Sequence, residues 1–126
     1  MKYEIINGLL VPENELIKET VTKTDTEYRV QNTDYRIIGE AIFEDINYIL
    51  PPTNEVDNSE FLLILGKQNK PNLKMIITTV GNDKIVGNDI QGKYLYITKL
   101  YDYYILKAVA PLEIYLILSN PFKEKN

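Results

Sequence analysis

The sequence predicts an all-β fold, a small antiparallel β-sandwich or barrel-like domain with an N-terminal arm. Three observations lead there. Apolar residues recur at every second position in several segments, and those segments are rich in Ile, Val, Thr and Tyr, which suit a half-buried pleated surface. Glycine, proline, asparagine and aspartate interrupt them at short intervals. The 126 residues make room for one compact domain, since domains most often run about 100 to 150 residues.

Residues 1–25 differ in character from the rest. Asn7-Gly8 and Pro12 break up the apolar pieces Ile5-Ile6 and Leu9-Leu10-Val11, and a polar stretch from Lys18 to Asp25 follows. This reads as an arm with one short helix around Glu13 to Glu19, although the same letters also fit a plain N-terminal strand that completes the sheet. The domain proper is then residues 26–120, and residues 121–126 form a flexible tail.

Within the domain, strands are expected at Glu27 to Val30, Tyr35 to Glu40, Asn47 to Leu50, Glu60 to Leu65, Lys74 to Val80, Tyr94 to Leu100, Tyr103 to Val109 and Ile114 to Leu118. Leu73, Met75 and Ile77 alternate with Lys74 and Thr78, which puts the apolar set on one strand face. The run Phe61 to Leu65 is apolar at every position and short, so it reads as a central strand between two covering layers. Pro51-Pro52 cannot continue a ladder, because proline donates no backbone hydrogen bond. Gly81-Asn82-Asp83, Gly87-Asn88-Asp89 and Gln91-Gly92 tolerate positive φ and read as tight reversals.

Composition removes several classes of function. A net charge of −4 without clustered Lys or Arg argues against nucleic acid, whose phosphates need concentrated positive charge. No apolar run approaches the ~18 residues of a membrane helix, and Met1-Lys2-Tyr3-Glu4 does not open a signal peptide. The expected address is therefore the cytoplasm of the producing cell, with neither membrane nor nucleic acid as partner. The absence of histidine and cysteine removes imidazole bases, Ser-His and Cys-His pairs, disulfides and thiolate metal sites. Ser59 and Ser119 lie in no Gly-x-Ser-x-Gly turn, and Gly81 to Gly92 lacks the lysine and hydroxyl that close a phosphate loop. No enzyme, cofactor or metal is expected.

Two patterns carry a second meaning. Asn82, Asp83, Asn88 and Asp89 are oxygen-bearing residues of the kind calcium takes, but ordinary turn chemistry explains the same letters. Tyr94, Tyr96, Tyr101, Tyr103 and Tyr104 fit either an exposed aromatic platform for a sugar or protein, with Tyr94, Tyr96, Tyr101 and Tyr103 stacking on the ligand, or cross-strand tyrosines partly buried in a sheet.

The order of elements from Glu27 to Leu118 resembles the small β domains in fibres, spikes and appendages of tailed bacteriophages. The resemblance rests on the Thr-Asp-Tyr strand Thr33 to Ile38, the Leu-Pro closure Ile46 to Pro52, the apolar strand Phe61 to Leu65 and the strand Met75 to Val80. The Ile-x-Gly turn at Ile85-Val86-Gly87 and the late strand Tyr101 to Leu106 follow in the same order. Where those domains often carry a Trp-Tyr pair, this chain has Ile114-Tyr115-Leu116-Ile117. The resemblance implies a virion protein assembled in the host cytoplasm, commonly a homotrimer, whose arm anchors it to capsid or fibre proteins of the same virion. Ile5, Ile6, Leu9, Leu10 and Val11 are then the attachment residues, and the small size points to a head fibre or capsid auxiliary protein. Two other readings remain: a receptor- or glycan-binding domain of a tail fibre, and a small host-directed inhibitor.

Overall fold

The computed structural model describes residues 3–6, 9–12, 19–23 and 26–119. The chain runs through β1 (Tyr3–Ile6), β2 (Leu9–Pro12), β3 (Glu19–Lys23), β4 (Glu27–Arg29), β5 (Asp34–Ala41), β6 (Ile46–Ile49) and β7 (Glu60–Gln68). It continues through β8 (Met75–Thr78), β9 (Lys84–Gly87), β10 (Ile90–Gly92), β11 (Tyr94–Ile97), β12 (Tyr103–Val109) and β13 (Ile114–Ser119). Thr53–Glu55 and Ala110–Leu112 form short 3-10 turns. All eight expected strands are present, and the fold is all-β.

The path between strands departs from the antiparallel expectation. The strands form a seven-stranded sheet, β10-β9-β13-β12-β7-β5-β3, a four-stranded sheet, β11-β8-β6-β4, and a two-stranded ribbon, β1-β2. From β3 to β8 the chain alternates between the two larger sheets, and each new strand lies parallel to the one laid down a turn earlier. Thus β3, β5 and β7 are parallel neighbours in one sheet, and β4, β6 and β8 in the other. Parallel neighbours need a long crossover; here the crossover is a strand of the opposite sheet, so the chain winds like a solenoid. Within the two larger sheets antiparallel pairs enter only afterwards, with β11 on β8, β12 on β7 and β13 on β12, while β13 also runs parallel to β9.

The two larger sheets enclose one core. From the large sheet come Ile37, Phe61, Leu63, Leu65, Leu106 and Tyr115, and from the small one Ile46, Tyr48, Met75, Ile77, Leu95 and Ile97, all buried in a single cluster. Each such side chain contributes roughly 1.5–3 kcal/mol through removal from water. Gly39 lets the sheets approach closely: a Cβ there would lie 2.6 Å from Ile46 Cδ1 and 3.0 Å from the Tyr48 ring. Phe61 meets Tyr115 edge to face at 6.3 Å, as Tyr28 meets Tyr48 at 5.8 Å.

Several expectations change in detail. Phe61 to Leu65 is central, between β5 and β12, but only one of its faces is covered: Phe61, Leu63 and Leu65 are buried while Leu62 and Ile64 are half-buried. The polar stretch Lys18 to Asp25 contains β3, which pairs with β5 and completes the large sheet, so part of the expected arm belongs to the body. Of the helix expected around Glu13 to Glu19, residues 13–18 lie outside the described residues, and Glu19 opens β3. The flexible tail expected at residues 121–126 also lies outside them. Gln91 and Gly92 belong to strand β10 and are not a reversal.

Candidate functional site

The expected attachment residues fall in the ribbon. Its register sets Ile5 opposite Leu10, Ile6 opposite Leu9 and Glu4 opposite Val11. Among the described residues, the ribbon pairs with neither larger sheet. A two-stranded hairpin is at best marginally stable alone, so it needs cover on at least one side.

The four candidate tyrosines separate into three places. Tyr94 and Tyr96 lie on the outer face of the small sheet, 55% and 50% exposed, with Leu95 and Ile97 turned into the core. Tyr101 occupies the turn before β12 with φ of 68°, and it is exposed. Tyr103 is half-buried on the outer face of the large sheet. No single platform of all four exists; Tyr94 and Tyr96 alone form a pair.

Register shows what accompanies that pair. Across the small sheet Glu27, Asn47, Ile76 and Tyr96 form one row, and Arg29, Ile49, Thr78 and Tyr94 the next. Thr78 donates its hydroxyl hydrogen to Asn47 Oδ1 at 2.6 Å, which fixes the middle of the surface. At the Arg29 end an open cleft of about 560 Å³ sinks between the β4–β5 loop and the segment after β6. Val30, Ile49 and Val56 give it an apolar floor, Pro51 and Pro52 a wall, and Arg29, Gln31, Asn32 and Glu55 a polar rim. Sequence reasoning missed this cleft because its residues come from three separate segments, none of which forms a motif alone.

The two Gly-Asn-Asp segments do different work. Asn88 and Asp89, with φ of 50° and 64°, make the two-residue reversal between β9 and β10, where both central positions need positive φ. The buried Asp83 carboxylate accepts the Thr53 backbone N–H and the Thr53 hydroxyl, each at 2.8 Å, which ties two loops together. Among the described residues no group of three or more Asp or Glu side chains could hold a metal ion. No helix of the described residues is long and apolar enough to cross a membrane.

Compared with known proteins, the chain matches no family model, no curated protein and no solved structure.

Proposed function

We propose that this chain is a structural component of a bacteriophage particle, a head fibre or capsid auxiliary protein that acts by shape and display and carries out no catalysis. The observation that supports this reading best is the division between a two-sheet body with its own core and an apolar N-terminal ribbon outside both sheets. A ribbon that pairs with no other strand among the described residues is available for contact with other proteins of the particle. Ile5, Ile6, Leu9, Leu10 and Val11 supply that contact, and the resemblance to appendage domains supplies the virion setting and the trimer. Mass spectrometry of purified virions tests the reading: the chain must be present at stoichiometric copy number. Its absence from particles would instead favour a host-directed inhibitor.

A second reading is glycan or receptor binding by a tail fibre, favoured by the cleft that opens on the face shared with Tyr94 and Tyr96. Sugars stack on aromatic faces and hydrogen-bond to planar polar side chains, and this face offers both. A glycan array probed with the full chain and with its Arg29→Ala and Tyr94→Ala variants tests it; binding must be lost in both variants.

A further inference from the structure

The cleft beside β4 carries opposite charges on its two sides. Arg29, Gln31 and Asn32 bound it from β4 and the loop that follows, and Glu55 from the segment after β6. Between them lies the apolar floor of Val30, Ile49 and Val56, all buried. Among the described residues Arg29 and Glu55 take part in no ion pair, with each other or with any other group. Glu27, the acid beside Arg29 on the same strand face, lines no part of the cleft. The Val30 N–H is turned toward the Ile49 carbonyl of β6, so the carbonyl of the preceding Arg29 faces the open edge of β4. Gln31 occupies that carbonyl, donating its side-chain N–H at 2.9 Å. A peptide added as a further strand would have to displace this bond.

We propose that the cleft takes an acidic sugar, whose carboxylate pairs with Arg29 and whose hydroxyls donate to Glu55. The inference rests on the glycan reading above and names the class of sugar. A guanidinium is a planar fork that matches a carboxylate through two parallel hydrogen bonds. A carboxylate side chain only accepts hydrogen bonds, so Glu55 calls for a ligand edge that donates them. The floor has no polar side-chain atoms and suits the C–H face of a ring. A neutral sugar satisfies Glu55 and the floor but brings no anion to Arg29. An aliphatic acid satisfies Arg29 and the floor but brings no row of donors to Glu55. An acidic sugar meets all three demands.

The surface beyond the cleft extends the same fit. Arg29, Ile49, Thr78 and Tyr94 form one row across the small sheet, so Tyr94 stands three strand spacings, about 14 Å, from Arg29. A sugar held at Arg29 therefore directs the rest of a short oligosaccharide along the row, where the exposed Tyr94 ring offers a stacking face.

The test is a glycan array on which oligosaccharides ending in a uronic or sialic acid are each printed beside the same compound with its carboxyl group reduced to an alcohol. The full chain should bind the acidic members about tenfold or more tighter than their reduced partners, the scale of one charge-assisted hydrogen-bonded pair. In Arg29→Gln the acidic members should fall to the level of the reduced ones. In Glu55→Gln both members of a pair should weaken together and the preference should persist. Both side chains are exposed, so circular dichroism of the variants should match that of the full chain. Equal binding within the pairs, or a preference that survives Arg29→Gln, would overturn the proposal and leave the glycan reading standing. An array on which no sugar is bound would overturn both, as would retention of zwitterionic dipeptides printed alongside in place of any sugar.

Discussion

Asp83 holds Thr53 by two hydrogen bonds, accepting both its backbone N–H and its hydroxyl at 2.8 Å, with both residues almost wholly buried. The contact joins the loop that leaves β6 to the turn that enters β9. Thr79 reinforces it by donating its hydroxyl hydrogen to the Asp83 carbonyl oxygen at 2.8 Å. Asp83→Ala strands a buried N–H and a buried hydroxyl together, and should lower stability by about 3 kcal/mol in urea unfolding. Asp83→Asn keeps an acceptor oxygen and should cost less. Equal losses for the two variants would show that the carboxylate is not the clamp.

Gly39 is the second sensitive point. Its position faces inward between Ile37 and Ala41 on β5, and a methyl group there collides with Ile46 and the Tyr48 ring. Both neighbours are fully buried, so neither can move aside freely. Gly39→Ala should destabilise the fold by roughly 1–3 kcal/mol, the usual cost of overpacking. Gly92→Ala, where nothing lies within 4 Å of the added carbon, is the control and should change the unfolding midpoint little.

These two positions show what was legible in the sequence. Alternation in Tyr35 to Glu40 and Lys74 to Val80 reports which face of a strand is buried, and it located those strands. It carries no information on which strand lies alongside or in which direction, so the parallel winding of β3 to β8 could not be read. Strand β9 escaped because Lys84-Ile85-Val86-Gly87 sits between two Gly-Asn-Asp segments whose turn chemistry dominates the local pattern. Strand β3 escaped because Glu19-Thr20-Val21-Thr22-Lys23 offers a single apolar residue. It is an edge strand, and charge at an edge is how sheets avoid unwanted pairing. The tyrosine pair Tyr94 and Tyr96 was legible from spacing, while the cleft was not, since nothing local in Arg29 or Glu55 announces that the fold brings them together.

Stability should fall at alkaline pH. Burial, then the hydrogen bond to Asp34 and its charge, raise the Tyr28 phenol well above its ordinary value of 10.0. Burial, then the charges of Asp83 and Glu55, do the same for Tyr115. A phenol whose folded pKa is raised binds its proton more tightly in the folded state. The stability it contributes is complete below the unfolded value near 10 and is lost as pH climbs from there toward the folded value. Urea midpoints measured from neutral pH upward should be flat with respect to these groups until about pH 10 and then decline. In Tyr115→Phe the decline should be shallower, because one of the two phenols no longer titrates.

The boundary of the N-terminal segment gives the sharpest contrast. Removing Met1 to Pro12 takes away a ribbon that, among the described residues, pairs with neither larger sheet, whereas removing Met1 to Asp25 also takes β3. With β3 goes the whole parallel ladder onto β5, from Glu19 beside Asp34 to Lys23 beside Gly39, and the Lys23 carbonyl that accepts the hydroxyl of the buried Tyr48 at 3.0 Å. The Lys23 ammonium, 4.7 Å from the centre of the Tyr28 ring, is lost as well. The shorter deletion should therefore leave the melting temperature within a few degrees of the full chain once association is taken into account. The longer one uncovers the edge of β5 and should lower stability by several kcal/mol, at about 1 kcal/mol for each ladder hydrogen bond lost. Thermal unfolding of the two truncated chains, followed by circular dichroism, decides the matter: identical melting curves would mean that β3 adds nothing to the body and that the arm extends to Asp25.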